Sequence, residues 1–172
     1  NHPISFKWIT KAMERGAKLL CVDPRFTQSA AKAHFYMPMR SGTDIAILGG
    51  MIKYIFDNRL YFEEYVRNYT NATFLVNPDF KLPGENRGVF SGLKGIKYDK
   101  TTWSYQTDAN GVIKKDPTMK DPRCVLQLLR RHYSRYNVDL VSRITGTPKE
   151  KLQELYKLYC STTGPMKAGN IM

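Results

Sequence analysis

The sequence predicts an α/β protein built on a doubly wound, mostly parallel sheet, with a helical and irregular insertion. Three observations predict it. Up to residue 57, helix-period and strand-length apolar patterns alternate. Both short apolar runs, Leu19-Leu20-Cys21-Val22 and Phe35-Tyr36-Met37-Pro38-Met39, end in polar loops that open helices. From Asn77 to about Lys120 the periodicity gives way to prolines, glycines and scattered aromatics, the texture of an excursion from a regular domain.

Residues 4–15 have the pattern of an amphipathic helix, with Ile4, Trp8 and Ala12 on one line, Ile9 and Met13 beside it, and Gly16 as its stop. Trp8 is expected in the core. The strand at 18–22 halts at Asp23-Pro24-Arg25, and Thr27 can cap a short Ala-rich helix at 28–33. A second strand is expected at 35–39. Arg40-Ser41-Gly42-Thr43-Asp44 then opens a helix over 43–57, whose Ile45, Ala46, Leu48, Gly49, Ile52, Ile55 and Phe56 follow helical spacing. Its Gly49-Gly50 pair would cost a free helix about 1 kcal/mol per glycine, so close approach of a neighbour is expected there.

Residues 61–69 are a further helix candidate. Asn68-Tyr69-Thr70 and Asn71-Ala72-Thr73 match glycosylation acceptors and are read as chance matches. Within the loop-rich stretch, Asp108-Ala109-Asn110-Gly111 is a turn between Trp103–Gln106 and Val112–Lys114, hence a hairpin. A helix is expected from Asp121-Pro122 onward, with Val125, Leu128, Leu129, His132 and Tyr136 on one face and His132 half-buried. Thr147-Pro148-Lys149-Glu150 matches a capping box, and Leu152, Leu155, Tyr156 and Tyr159 form a buried stripe that runs until Gly164. Residues 168–172 read as the start of another strand. The expected organisation is thus residues 1–76 as part of an α/β domain, 77–120 as the insertion, and 121–172 as a helical continuation that reads as scaffold.

Composition excludes several classes. With 172 residues, 42% of them hydrophobic and 24% charged, the chain can bury a core. No 18-residue apolar run exists, and the longest candidate, Ile45 to Phe56, contains Lys53, so no membrane span is predicted. The opening Asn1-His2-Pro3 reads as mid-protein sequence and not as a leader, so a partial piece of a longer protein is expected. Cys21, Cys124 and Cys160 lie far apart, with no C-x-x-C, and are expected to be buried small hydrophobes, the first in a strand and the others in helices. His2 and His34 are assigned structural roles.

The net charge of +12 invites a nucleic-acid reading, as do the basic residues interleaved with aromatics at 77–120. The basic residues are spread from Lys7 to Lys167 with no run longer than two, which favours solvated faces and subunit contacts. A free-standing nucleotide enzyme would need a phosphate loop, and neither G-x-G-x-x-G nor G-x-x-x-x-G-K-[ST] occurs.

The functional signal lies in residues 17–44. In an open α/β sheet a nucleotide lies at the carboxyl ends of the strands, where Asp23 can accept from ribose hydroxyls or a guanine edge. Arg25 offers a planar fork of donors suited to a phosphate or a stacked base. The loop ending in Gly42-Thr43-Asp44 places first-turn helix amides toward the same crevice. Either acid alone could simply end a strand or start a helix; the ordered pair points to a site.

The wording KLLCVDPRFTQSAAKAHFYMPMRSGTDIAILGGMIKYI resembles the large catalytic subunit of molybdenum- or tungsten-dependent formate dehydrogenases. Asn1-His2-Pro3 resembles the end of that family's N-x-x-E-x-H-P segment, and YTNATF, KYDKTTWSY, DPRCVLQLL and GTPKEKL resemble members with a long mid-chain insertion. The resemblance implies a Rossmann-like dinucleotide-binding domain whose two loops hold the guanosine ends of a bis-molybdopterin guanine dinucleotide carrying Mo or W. It makes Asp23, Pro24, Arg25, Phe26, Thr27, Gly42, Thr43 and Asp44 the cofactor-binding residues. Asp23 and Asp44 would accept from guanosine, Thr27 and Thr43 would meet phosphate or ribose, and Arg25, with Arg40 after it, would pair with charge or stack. It implies no catalytic residue and no metal ligand in this chain, and a 4Fe-4S cluster whose ligands lie outside it. The whole enzyme would interconvert formate and CO2, with the remainder of the catalytic subunit and an iron–sulfur electron-transfer subunit as partners. Nucleic acid and a direct membrane span are not implied. Related oxidoreductases such as nitrate reductases carry similar loops, so the substrate follows from family wording. A periplasmic location is expected, with the cytoplasm as the alternative.

Overall fold

The structure, a computed structural model, describes residues 3–162. Its elements are α1 (Pro3–Glu14), β1 (Leu20–Val22), α2 (Gln28–Lys32), β2 (Phe35–Met37), α3 (Asp44–Asp57), α4 (Glu63–Tyr69), β3 (Leu93–Lys94), β4 (Lys97–Tyr98), α5 (Val125–Tyr133), α6 (Val138–Thr145) and α7 (Lys149–Cys160), with one 3-10 turn at Pro83–Glu85. Asn1, His2, Gly164 and the strand expected at 168–172 lie outside the described residues. Two compact units form, one from residues up to 51 together with 136–162, the other from 52–135.

The first unit is built on β1 and β2, which pair in parallel with Leu20 opposite Phe35, Cys21 opposite Tyr36 and Val22 opposite Met37. Helix α2 makes the crossover, and Thr27 caps it as expected, its Oγ1 accepting from the Ala30 N–H at 3.2 Å. Pro38 lacks an N–H to continue a ladder, so β2 stops at Met37 and not at Met39. The sheet of this unit is the parallel pair, with α2 packed against β1. Phe35 and Met37 are buried, as are Ala46, Ile47, Met51, Val141, Leu152, Leu155 and Tyr156 of the same unit. His34 has the structural role expected, its Nδ1 accepting from the Leu19 N–H at 3.1 Å.

The glycine pair of α3 meets its neighbours as expected. A Cβ at Gly49 would lie 2.8 Å from Cγ of Tyr136, and one at Gly50 would lie 2.3 Å from the Tyr156 hydroxyl. That hydroxyl donates to the Ile47 carbonyl at 3.2 Å, and burial pushes its pKa up. Close packing and this buried bond offset the glycines' low helix propensity.

Four expectations are corrected here. Trp8 is 64% exposed, not core. The helical period of α1 is right, but Phe6, Ile9 and Met13 are its half-buried side while the Ile4-Trp8-Ala12 line faces out; periodicity finds an apolar face and not what covers it. Thr147 does not cap α7. Pro148 takes that position, and the Thr147 hydroxyl instead donates to the Pro38 carbonyl at 2.8 Å. Helix α5 begins at Val125 and not at Asp121, because the Asp121 carboxylate accepts from the Arg123 N–H at 2.7 Å and turns the chain first. It also ends at Tyr133, so Tyr136 lies beyond it, and a separate helix, α6, occupies 138–145.

The second unit is irregular. Its core is Ala72, Met119, Cys124 and Leu126, with Phe56, Tyr61, Val66 and Leu75 packed against them. The hairpin expected around Asp108–Gly111 is present as a single bridge, Thr107 to Ile113, with the Lys114 N–H donating to the Gln106 carbonyl at 2.9 Å. An antiparallel pair of two-residue strands, β3 and β4, sets Leu93 opposite Tyr98 and Lys94 opposite Lys97. Phe80, Phe90, Trp103 and Tyr98 form an aromatic chain, and His132 stacks on Phe90 at 5.9 Å, half-buried as expected. Cys124 and Cys160 are buried; Cys21 is half-buried, and Cys124 sits one residue before its helix. Among the described residues no helix is long and apolar enough to cross a membrane, and no group of three or more His, Cys, Asp or Glu could hold a metal ion.

Candidate functional site

Two loops leave the carboxyl edge of the parallel pair. The register sets Val22 opposite Met37, so Asp23 and Pro38 begin their loops side by side, and the Asp23 N–H donates to the Met37 carbonyl at 3.3 Å. The roots of the two loops are therefore joined.

In the first loop, Oδ1 of Asp23 accepts from the Arg25 N–H at 2.8 Å, a turn that Pro24 favours by its fixed φ. This leaves Oδ2 of the carboxylate for other donors. The Tyr36 hydroxyl donates to the Asp23 carbonyl at 3.1 Å, and the Tyr36 ring takes the Phe26 ring edge-on at 5.1 Å. Phe26 is nonetheless 63% exposed, and Pro24 and Arg25 are exposed beside it. Thr27 uses its oxygen to cap α2 and directs its hydroxyl toward the Cys21 sulfur. Burial and the neighbouring Asp23 carboxylate push the Cys21 thiol up, which keeps it a neutral strand residue.

In the second loop, the Thr43 hydroxyl donates to the Arg40 carbonyl at 2.6 Å, and the Thr43 carbonyl accepts the Ala46 N–H at 3.0 Å as α3 begins. Gly42 has φ +77°, a conformation that suits glycine, and a Cβ there would meet nothing within 4 Å. Asp44 is exposed in the first turn of α3, where a carboxylate complements the helix dipole. Thr43 and Asp44 are held within their own loop and helix. Arg40, the second charge-pairing candidate, places Nη1 on the carbonyls of Arg143 at 2.7 Å and Ile144 at 3.2 Å.

Sequence reasoning missed Tyr36 and the Arg143–Thr147 segment as supports of these loops. The latter lies about a hundred residues downstream, and no local pattern carries such a partnership.

No family model matches the sequence. Over its whole length the chain is 50% identical to the formate dehydrogenase subunit alpha of Megalodesulfovibrio gigas, and 42% identical over 99% of its length to the formate dehydrogenase-O major subunit of Escherichia coli K12. This chain is a relative of formate dehydrogenase alpha subunits. It spans 17% of the length of each of those two relatives. Acetylene hydratase of Syntrophotalea acetylenica is 42% identical over 37% of the chain. The solved structure of acetylene hydratase from Pelobacter acetylenicus superposes on 94% of this chain with a TM-score of 0.56 at 23% identity, covering 15% of that chain; this likeness shows a shared fold.

Proposed function

We propose that this chain is the part of a formate dehydrogenase catalytic subunit that grips the guanosine ends of a bis-molybdopterin guanine dinucleotide cofactor carrying Mo or W. Identity of 50% along the whole chain to a formate dehydrogenase alpha subunit carries the reading. The donor chemistry of the loops supports it. A guanine edge and two ribose hydroxyls offer N–H and O–H donors, and a carboxylate is acceptor-only, so Asp44 and the second oxygen of Asp23 match them. Exposed Arg25, the Thr27 hydroxyl and the first amides of α3 suit phosphate. Pro24 and Gly42 shape the two turns, exposed Phe26 offers a face for a base, and Thr43 retains lone pairs for a ribose hydroxyl.

The fold proposed for the parent domain is a doubly wound, Rossmann-like sheet, with residues 1–76 and 121–172 belonging to it and 77–120 as its insertion. The cofactor would supply two-electron exchange with formate, and this chain's residues would bind and orient its far ends. The whole enzyme would then interconvert formate and CO2 and pass electrons to a 4Fe-4S cluster and an iron–sulfur subunit. Its proposed location is the periplasm.

The test is Asp23→Ala and Asp44→Ala in the complete catalytic subunit, with metal, pterin and guanine nucleotide counted per subunit. Each variant is expected to weaken retention by a factor corresponding to about 1.5–3 kcal/mol, the loss of hydrogen bonds to a charged group, at unchanged far-UV circular dichroism. Full cofactor content in both variants would overturn the reading.

A further inference from the structure

We propose that Arg40 and Thr147 form a clasp through which the turn between α6 and α7 positions the 40–44 loop for the cofactor. The proposal rests on the guanosine-end reading of that loop and adds residues outside it. The last carbonyls of a helix lack intrahelical partners and carry the negative end of its dipole. Here three successive carbonyls at the end of α6 are taken by one residue: Nη1 of Arg40 donates to Arg143 and Ile144, and the Arg40 N–H donates to Thr145 at 2.8 Å. Thr147, 1% exposed, closes the other side by donating its hydroxyl to the Pro38 carbonyl.

Between these two contacts sits Gly146, with φ +73°. A Cβ there would also lie 3.2 Å from Nε of Arg40, so a larger residue would strain the turn and press on the guanidinium. The loop in turn hands this placement to the site, because the Arg40 carbonyl holds the Thr43 hydroxyl and the Thr43 carbonyl starts α3. Ser41 and Gly42 between them are exposed. Arg40 is thus a positioning residue and not an anion ligand, and residues 143–147 serve the site as well as the scaffold.

The test uses the complete catalytic subunit and reads amide hydrogen exchange of the cofactor-free form and guanine nucleotide retained by the loaded form. Thr147→Val keeps the shape and removes the hydroxyl. Exchange over 38–43 is expected to rise about tenfold, with 20–27 unchanged and cofactor retention lowered, and Thr147→Ser is expected to restore both. Should Thr147→Val fail to fold, Arg40→Met keeps the length of the side chain, removes the Nη1 donor to the Arg143 and Ile144 carbonyls, and is expected to show the same pair of effects. Wild-type exchange over 38–43 would overturn the clasp, as would raised exchange with full cofactor retention in a background where Asp44→Ala loses cofactor. If exchange rises but neither Thr147→Val nor Asp44→Ala loses cofactor, the clasp stands and the guanosine-end reading falls.

Discussion

The Tyr36 hydroxyl donates to the Asp23 carbonyl at 3.1 Å, so the middle residue of β2 secures the loop that follows β1. One strand thereby organises both loops, the first through a side chain and the second through its own continuation at Pro38 and Arg40. Tyr36→Phe would remove the bond while leaving the edge contact with Phe26. The expected cost is about 0.5–1.5 kcal/mol, read as a lower midpoint in urea denaturation of the complete subunit, with faster hydrogen exchange confined to 23–27.

Gly50→Ala should destabilise, against the usual gain from placing alanine in a helix. The new methyl would meet the Tyr156 hydroxyl, and overpacking of a filled core costs typically 1–3 kcal/mol, more than the roughly 1 kcal/mol of helix propensity regained. Removing that hydroxyl takes away the nearest contact and leaves the tighter-than-usual ones to Val141 Cγ2 at 3.0 Å and Tyr156 Cζ at 3.2 Å, so Gly50→Ala with Tyr156→Phe should be more stable than the sum of the two single variants. Thermal denaturation of the four members of the cycle checks this.

Asp116 should contribute stability that disappears in acid. Its carboxylate accepts from the Thr118 hydroxyl at 2.6 Å and from the backbone N–H groups of Asp121, Thr118 and Lys120, which lowers its pKa to about 2. A group with a depressed folded pKa stabilises above its unfolded value, near 3.8, and loses that contribution as pH falls toward 2. Asp116→Asn should therefore lower the denaturation midpoint at pH 7, and the gap to wild type should narrow progressively between pH 4 and pH 2.

The cysteines should differ in reactivity in the native state. Burial pushes all three thiols up, and Cys124 and Cys160 are also closed to solvent. Iodoacetamide at pH 7.5 is expected to modify Cys21 slowly and the other two only after denaturant is added, as read by peptide mass.

The elements the sequence revealed are those whose information is local. Thr27 with its Ala-rich run, the apolar stretches at 20–22 and 35–37, and the glycine pair at 49 and 50 each announce what they do within a few positions. The two loops of the candidate site were legible for the same reason, since strand, turn residues and helix start follow one another directly. Helix α6 was not. Its Asn137 cap and Gly146 stop are present, but Val138, Val141, Ile144 and Thr145 are β-branched and weaken a helical pattern only eight residues long. Thr147 matched a capping motif in full and was claimed by a carbonyl 109 positions away. Trp8 shows the same limit for burial, because the stripe it lies on names no partner.

The ring of Tyr136 against Gly49 means that the chain leaves the first unit and comes back to it at nearly one point. A detour with adjoining endpoints closes on its host whatever its length, since the entropy of closure grows only slowly with the number of residues enclosed. The stretch beyond the end of α3 at Asp57 can therefore change in length at little closure cost to the parallel pair and its two loops.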